Sequence, residues 1–227
     1  MILHIFHDRK EAGKLLAEIL VAKSHQPHLL ILAIPRGGVP VAYEVAKELH
    51  APLDVFIVRK LGVPGHEEFA MGAISNCGTQ IIDEDIIKAL NITNKQIEEV
   101  AQAESIEIQR RESVYRENLP PLDIKNKNLI IIDDGLATGS TMLAALRSLR
   151  IRKPAFITVA IPVAPSLTRD EIAAEADDMI CLACPEPFYG VGQWYLDFSQ
   201  VTDKEVLRML KDVKKLAGPI KNKSRAS

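Results

Sequence analysis

The chain has 227 residues, of which 47% are hydrophobic and 26% charged; this balance is typical of a globular protein and excludes disorder over most of the length. Its 28 basic and 30 acidic residues give a net charge of −2, so the basic surplus that a duplex nucleic-acid interface needs is missing. No uncharged segment approaches the ~18 apolar residues of a membrane span, and three cysteines are too few for a disulfide framework. Charge occurs within MILHIFHDRK too early for a signal peptide, so we expect a cytoplasmic protein.

The predicted elements alternate between helices and short apolar strands. Asp8 is a suitable N-cap for a first helix over 8–23, along which leucine and isoleucine recur on one face. The later apolar runs are typical of strands that are covered on both faces. Strands are predicted over 29–34, 54–58, 129–133, 155–161 and 179–184, and further helices over 39–49, 140–149, 166–176 and 203–216. This order predicts an α/β fold, an open parallel sheet with helices on both faces.

Residues 65–117 depart from the alternation, and we expect them to form a cap or a mobile excursion over one edge of the sheet. They comprise a predicted hairpin, 69–75 and 79–83 around Asn76–Gly78, and a charge-dense helical stretch, 84–117, with a break at Asn91. We expect residues 1–218 to form one domain and residues 219–227 to be a disordered basic tail.

The segment LIIIDDGLATGSTMLAAL (129–146) carries the clearest chemical signal. A buried strand ends in two adjacent carboxylates, Asp133 and Asp134, and a glycine-containing loop then leads into a helix. Helix N-termini attract phosphate through free N–H groups and a positive dipole end, and ligands of open α/β sheets bind beyond the carboxyl ends of strands. The two acids are within reach of sugar hydroxyls, so the pattern indicates a site for a ribose phosphate. In the alternative interpretation, the acids cap a helix and the glycines shape a tight turn.

DDGLATGST (133–141) resembles the phosphoribosyl pyrophosphate (PRPP) signature of the type I phosphoribosyltransferases. IPRGGVPVA (34–42) resembles their pyrophosphate loop, and VRKLG (58–62) resembles the basic strand end that precedes their mobile catalytic loop. The resemblance spans nearly the whole chain and extends to a bacterial and archaeal group of undefined substrate. It implies a type I fold with a small cap or hood, and transfer of phosphoribose from Mg²⁺–PRPP to a nitrogenous base, with release of pyrophosphate.

The resemblance also implies a role for each matching residue. Asp133 and Asp134 hold the ribose hydroxyls and are candidates to contact the Mg²⁺ that the substrate chelates. The 5-phosphate loop comprises Gly135, Ala137, Thr138, Gly139, Ser140 and Thr141. Arg36, Gly37 and Gly38 meet the pyrophosphate, in these enzymes often through a non-proline cis peptide bond, while Arg59 and Lys60 neutralise it as it departs. The alternative for Arg36 and Arg59 is a surface salt bridge.

The acceptor base is the least determined part of this prediction. Hypoxanthine-guanine enzymes have a carboxylate where this chain has Ala137, so Glu67 or Glu68 becomes the candidate if an acid or base is required. The alternative, which a loop position favours, is that each is a solvated charge. CPEPFYGVGQWYLDF (184–198) is similar to the base-binding hood of purine phosphoribosyltransferases. Phe188 would stack on the base, Asp197 would face the metal, and Trp194 lies between them. The alternative is an aromatic cluster that closes one edge of the core.

The sequence is also compatible with two other functions. A PRPP-binding regulator without turnover would keep the 133–141 motif, but no helix-turn-helix pattern accompanies it here. A hydrolase or phosphatase acting on ribose phosphates would not need the basic residues at 59 and 60.

Cys181-x-x-Cys184 has no second cysteine pair, which disfavours a zinc site. We expect a homo-oligomer in nucleotide metabolism, with PRPP and a nucleobase as ligands and neither nucleic acid nor membrane as a partner.

Overall fold

A computed structural model of the chain describes residues 5–116 and 122–216. The predicted tail over 219–227 lies outside these ranges, as do residues 1–4, 117–121, 217 and 218. The strands are β1 (Leu29–Ala33), β2 (Leu53–Val55), β3 (Val58–Val63), β4 (His66–Ser75), β5 (Gln80–Ile82), β6 (Asn128–Ile132), β7 (Phe156–Val163) and β8 (Asp178–Ala183). The helices are α1 (Arg9–Leu20), α2 (Gly38–Glu48), α3 (Glu84–Ala89), α4 (Asn94–Arg116), α5 (Ser140–Ile151), α6 (Ser166–Glu175) and α7 (Asp203–Leu216), with 3₁₀ turns at Val21–Lys23 and Val191–Trp194.

A five-stranded parallel sheet forms the centre of the molecule, in the order β2-β1-β6-β7-β8. Every residue of β1 is buried, because helices α1, α2 and α7 cover one face of the sheet and α5 and α6 cover the other. Continuous apolar strands need such two-sided cover. The predicted α/β class, the parallel sheet and the helices on both faces are therefore confirmed.

The first helix follows the sequence pattern closely. Asp8 caps it by accepting a hydrogen bond from the Glu11 backbone N–H at 2.8 Å. The α-helix ends at Leu20, and the predicted remainder of the segment forms the 3₁₀ turn up to Lys23. No helix in the described residues is both long and apolar enough to span a bilayer.

The segment predicted as one strand over 54–58 belongs to two different sheets, which corrects that prediction. Val55 ends β2, and the Phe56 N–H still bonds to the carbonyl of Ala33 in β1. The next residue changes partner: Ile57 N–H donates to Asn76 Oδ1 at 3.3 Å, and Ile57 carbonyl accepts from Asn76 N–H at 2.9 Å. Val58 then begins β3, which pairs antiparallel with β4.

Strands β3, β4 and β5 form a separate antiparallel sheet, and together with α3 and α4 they make up the cap. The predicted hairpin is present as β4 and β5, although β4 starts earlier, at His66. Asn91 separates the two cap helices in a left-handed conformation, at φ 51°, as the sequence indicates. The cap has its own apolar cluster around Leu61 and Met71 and rests against α5.

Candidate active site

Two loops meet at the carboxyl ends of β1 and β6. Asp133 and Asp134 follow β6, and the loop that follows β1 contains a cis peptide bond between Pro35 and Arg36. A Cβ atom added to Gly37 would lie 2.1 Å from Asp134 Oδ2, and one added to Gly38 would lie 2.6 Å from the carbonyl oxygen of Ile132. Glycine at both positions therefore allows the arginine-bearing loop to pack directly on the acid pair.

The two carboxyl groups are partly buried, and their negative charges are adjacent. Asp133 Oδ1 accepts the backbone N–H of Asp134 at 2.8 Å, and Asp134 Oδ2 accepts Arg9 Nε at 2.8 Å. Burial raises the pKa of Asp133 well above its usual value, and the neighbouring Asp134 charge raises it further. Burial also raises the pKa of Asp134, against the opposing effect of Arg9. A pair of this kind favours ligands that donate hydrogen bonds or bring positive charge.

The loop between β6 and α5 is fixed at its base and open at its tip. Leu136 N–H bonds to the Val163 carbonyl, and the Thr168 hydroxyl donates to the Ala137 carbonyl, both at 2.9 Å. Ala137 and Thr138 themselves are exposed. Gly139 adopts φ +69°, a left-handed conformation that favours glycine, and turns the chain into the helix.

The start of α5 leaves backbone donors available. Its first hydrogen bond runs from Leu143 N–H to the Gly139 carbonyl at 2.9 Å, and no described residue accepts the N–H groups of residues 140–142. The hydroxyls of Thr138 and Ser140 lie 2.9 Å apart beside them. Free N–H groups, hydroxyls and the helix dipole together suit a phosphate group.

Arg36 lies at the side of the acid pair. It shares a cavity of about 370 Å³ with Arg9, Gly37 and Asp134. Its Nη1 is 3.7 Å from Asp203 Oδ1, so the salt bridge considered for this residue is present, at a long distance and one-third exposed. A pair of that geometry contributes little to stability, and it leaves the guanidinium free to meet an anion in the cavity.

Arg59 and Lys60 lie within β3 instead of at a strand end before a loop, which corrects that expectation. Beyond them the chain continues to Val63 and turns at Gly65, φ +80°, into β4. Arg59 Nε bonds to Glu104 Oε2 of α4 at 2.6 Å. Both basic residues line a second cavity of about 390 Å³, which reaches Thr141 in the first turn of α5.

Comparisons with known proteins identify the family. The model of the phosphoribosyl transferase domain matches residues 4–198. The chain belongs to the phosphoribosyltransferase family. Two Mycobacterium tuberculosis proteins, from strains CDC 1551 and H37Rv, each named "putative phosphoribosyl transferase", are 39% identical over 206 residues, which is 91% of this chain and 46% of theirs. The chain thus spans about half the length of the curated relatives it matches.

One solved structure is similar over nearly its full length. The crystal structure of TT1426 from Thermus thermophilus is 37% identical, with a TM-score of 0.80, and the alignment covers 91% of this chain and 98% of that one. The arrangement of nearly the whole chain is therefore shared with a solved protein.

The donor atoms at this site fit Mg²⁺ only in part. Adjacent carboxylates at 133 and 134 are the hard oxygen ligands that Mg²⁺ prefers. Within the described residues, however, no group of three or more His, Cys, Asp or Glu side chains is placed to hold a metal ion. A Mg²⁺ ion here would need further oxygens from a bound substrate. Cys181 and Cys184, with Sγ atoms 3.7 Å apart, likewise lack a third ligand in the described chain.

The segment predicted as a base-binding hood combines core and surface residues. Trp194 is buried and stacks with half-buried Phe188 at a centroid distance of 6.2 Å. It belongs to an apolar cluster with Phe6, Val163 and Tyr195. Asp197 is exposed, and hydrogen bonds from Ser199 lower its pKa. Of the candidate acids, Glu67 lines the cavity beside Arg59, and the side chain of Glu68 is outside the described part of the chain.

Several residues around Asp134 were not predicted from the sequence. Arg9 pairs with the Asp134 carboxylate, and the Tyr195 hydroxyl donates to the Asp134 carbonyl at 2.6 Å. The Arg9 guanidinium also lies over the ring of Phe198, 3.9 Å from its centroid. An arginine at the start of an amphipathic helix carries no local signal of this role, because its partner is 125 residues away.

Proposed function

We propose that the chain transfers phosphoribose from Mg²⁺–PRPP to a nitrogenous base and releases pyrophosphate. The observation that carries the proposal is the convergence of an acid pair, a phosphate-suited helix start and an arginine loop at one end of the parallel sheet. The family model and the relatives named for this activity support the same reaction class. We place the reaction in nucleotide metabolism.

In this proposal the loop after β6 binds the sugar phosphate. The free N–H groups of residues 140–142 and the Thr138 and Ser140 hydroxyls take the 5-phosphate. Asp133 and Asp134 accept hydrogen bonds from the two ribose hydroxyls. Burial disfavours the ionised form of both carboxylates because it removes water that would hydrogen-bond to them. Hydroxyl donors on the substrate take the place of that water.

The basic residues act on the pyrophosphate. Arg36 opens on the cavity beside Asp134, and Arg59 and Lys60 approach from the cap side of α5. When the bond at the anomeric carbon breaks, negative charge accumulates on the departing oxygen while the sugar becomes oxocarbenium-like. Positive groups placed at that oxygen lower the barrier more than they tighten binding. A substrate-bound Mg²⁺ would add further positive charge there.

The test is a two-stage assay on the full chain. Titration with PRPP in the presence and absence of Mg²⁺ measures binding by calorimetry, and release of pyrophosphate is then measured across a panel of purine and pyrimidine bases. Pyrophosphate release that depends on one base supports the proposal. Binding without release for any base would assign the chain to the PRPP-binding regulators, and absence of binding would overturn both assignments.

A further inference from the structure

Arg9 is held in one orientation by three separate contacts. Its Nε donates to Asp134 Oδ2 at 2.8 Å, and its Nη1 donates to the Ser199 carbonyl at 2.9 Å. Its Cζ atom lies over the Phe198 ring, 3.9 Å from the ring centroid. The side chains of Arg9 and Asp134 are 11% and 13% exposed, so the ion pair is largely shielded from water.

These contacts join three distant parts of the chain at the acid pair. Arg9 starts α1, Asp134 follows β6, and the residues from 198 to 199 precede α7. A planar guanidinium can serve a carboxylate and a carbonyl at fixed angles while it stacks on an aromatic ring, which the point charge of a lysine ammonium does not reproduce. The geometry is thus specific to arginine.

We infer that Arg9 is a positioning residue for Asp134, whose carboxylate it holds toward the cavity shared with Arg36. The part that concerns ligand binding rests on the proposed function, because there Asp134 binds a ribose hydroxyl. Arg9 also lines that cavity, but its Nε and Nη1 atoms are already engaged by Asp134 and Ser199, which leaves Asp134 as the group that faces the ligand. Its effect on PRPP therefore passes through Asp134.

Three variants separate charge from orientation. Arg9→Met removes the ion pair but keeps a long apolar stem, and Arg9→Lys keeps the charge without the planar fork. Lys14→Met is the matched control, since it removes an exposed cation further along the same helix. Circular dichroism establishes that each variant is folded. Affinity for Mg²⁺–PRPP is then measured by calorimetry, and the coupling of Arg9 to Asp134 by a double-mutant cycle of Arg9→Met with Asp134→Asn in denaturant unfolding.

In Arg9→Met we expect about tenfold weaker PRPP binding, because Asp134 loses the group that orients its carboxylate. In Arg9→Lys we expect an intermediate affinity, since the charge remains without the planar fork, and in Lys14→Met no change. Wild-type PRPP affinity in Arg9→Met, or additive effects of Arg9→Met and Asp134→Asn on stability, would overturn the inference. If the wild-type chain does not bind PRPP, the proposed function fails, while the double-mutant cycle still decides the Arg9–Asp134 coupling.

Discussion

At the scale of single residues, Asp133 is a group whose burial opposes folding. Its pKa is raised in the folded protein, so the folded state holds the proton more tightly than the unfolded chain does. The free energy of unfolding therefore falls as the pH rises from the ordinary value of 3.8 through the raised one. Asp133→Asn removes the charge and can still accept the Asp134 N–H. We expect this variant to be about 1 kcal/mol more stable at neutral pH and to lose the advantage in acid, as measured by denaturant unfolding at several pH values.

Asp177→Asn provides a control of opposite sign. Asp177 binds Arg150 Nη1 and the Ile157 N–H, each at 2.7 Å, and the Arg150 contact lowers its pKa. Its carboxylate therefore stabilises the fold above the unfolded pKa and loses that contribution as the pH falls. Asp177→Asn should be destabilised at neutral pH. A loss of stability in both variants would indicate that Asp133 is mainly a structural cap. PRPP binding should be lost in Asp133→Asn and kept in Asp177→Asn.

The two glycines of the loop after β1 differ in what stands next to them. A Cβ atom at Gly37 would lie 2.1 Å from the Asp134 carboxylate, which can rotate away, whereas one at Gly38 would meet backbone atoms of Ile132 and Asp133. We expect Gly37→Ala to keep most of its stability and to bind PRPP about tenfold more weakly, because Asp134 is displaced from Arg9. Gly38→Ala should instead lose about 2 kcal/mol of stability.

Thermal unfolding and calorimetry on the same preparations check this difference. The two variants act as controls for each other, since they add the same methyl group to neighbouring positions. Wild-type PRPP affinity in Gly37→Ala would show that the position of Asp134 does not matter for the ligand.

At the scale of elements, the loop between β6 and α5 should tolerate small changes but not bulk. Thr138 is exposed at its tip, and its hydroxyl lies 2.9 Å from that of Ser140. Thr138→Leu replaces a hydrogen-bonding group by apolar bulk beside the free N–H groups of the helix. We expect at least about tenfold weaker PRPP binding, which is ~1.4 kcal/mol, while Thr138→Ser should remain close to wild type. Equal PRPP affinities for the two variants in calorimetry would show that the phosphate does not bind in this loop.

The elements also show which features a sequence makes visible. Strands β1, β6 and β7 are continuous apolar runs because helices cover both of their faces, so composition alone predicts them. The boundary between β2 and β3 depends on Asn76, which takes both hydrogen bonds of Ile57 from 19 residues away. No local pattern at 54–58 shows that the chain leaves one sheet and enters another there. The sequence therefore predicts a single strand.

At the scale of the whole molecule, the same distinction applies to the candidate site. Residues 133–141 are contiguous, so their motif could be recognised directly, and 36–38 followed from the resemblance. Arg9, Tyr195 and Glu104 reach the site only through tertiary packing, and nothing in their local sequence marks them. The sequence therefore predicts the residues of the loop and the ligand they suit. It does not predict the distant side chains that contact the acid pair and the basic residues.

At this scale we also expect the cap to cooperate with the central sheet, through Arg59. Arg59 belongs to the cap, and its pair with Glu104 is 36% and 25% exposed, so it is weak enough for a pyrophosphate to displace. An arginine that meets charge as it develops on the leaving group contributes mainly to the transition state. In steady-state assays of pyrophosphate release, Arg59→Ala should lower kcat about 100-fold, raise the KM for PRPP much less, and leave the KM for the base unchanged.

Lys95→Ala, which removes an 85% exposed cation from α4, should have no effect on these constants. The pair with Glu104 gives a second, independent variant. Glu104→Gln frees Arg59 from its carboxylate partner, so it should leave kcat unchanged or raise it, with little change in the KM for PRPP. If Arg59→Ala changed the KM for the base and left kcat intact, Arg59 would belong to base recognition. The cavity between β3 and α5 would then be the acceptor site, with the pyrophosphate left to Arg36 in the cavity beside Asp134.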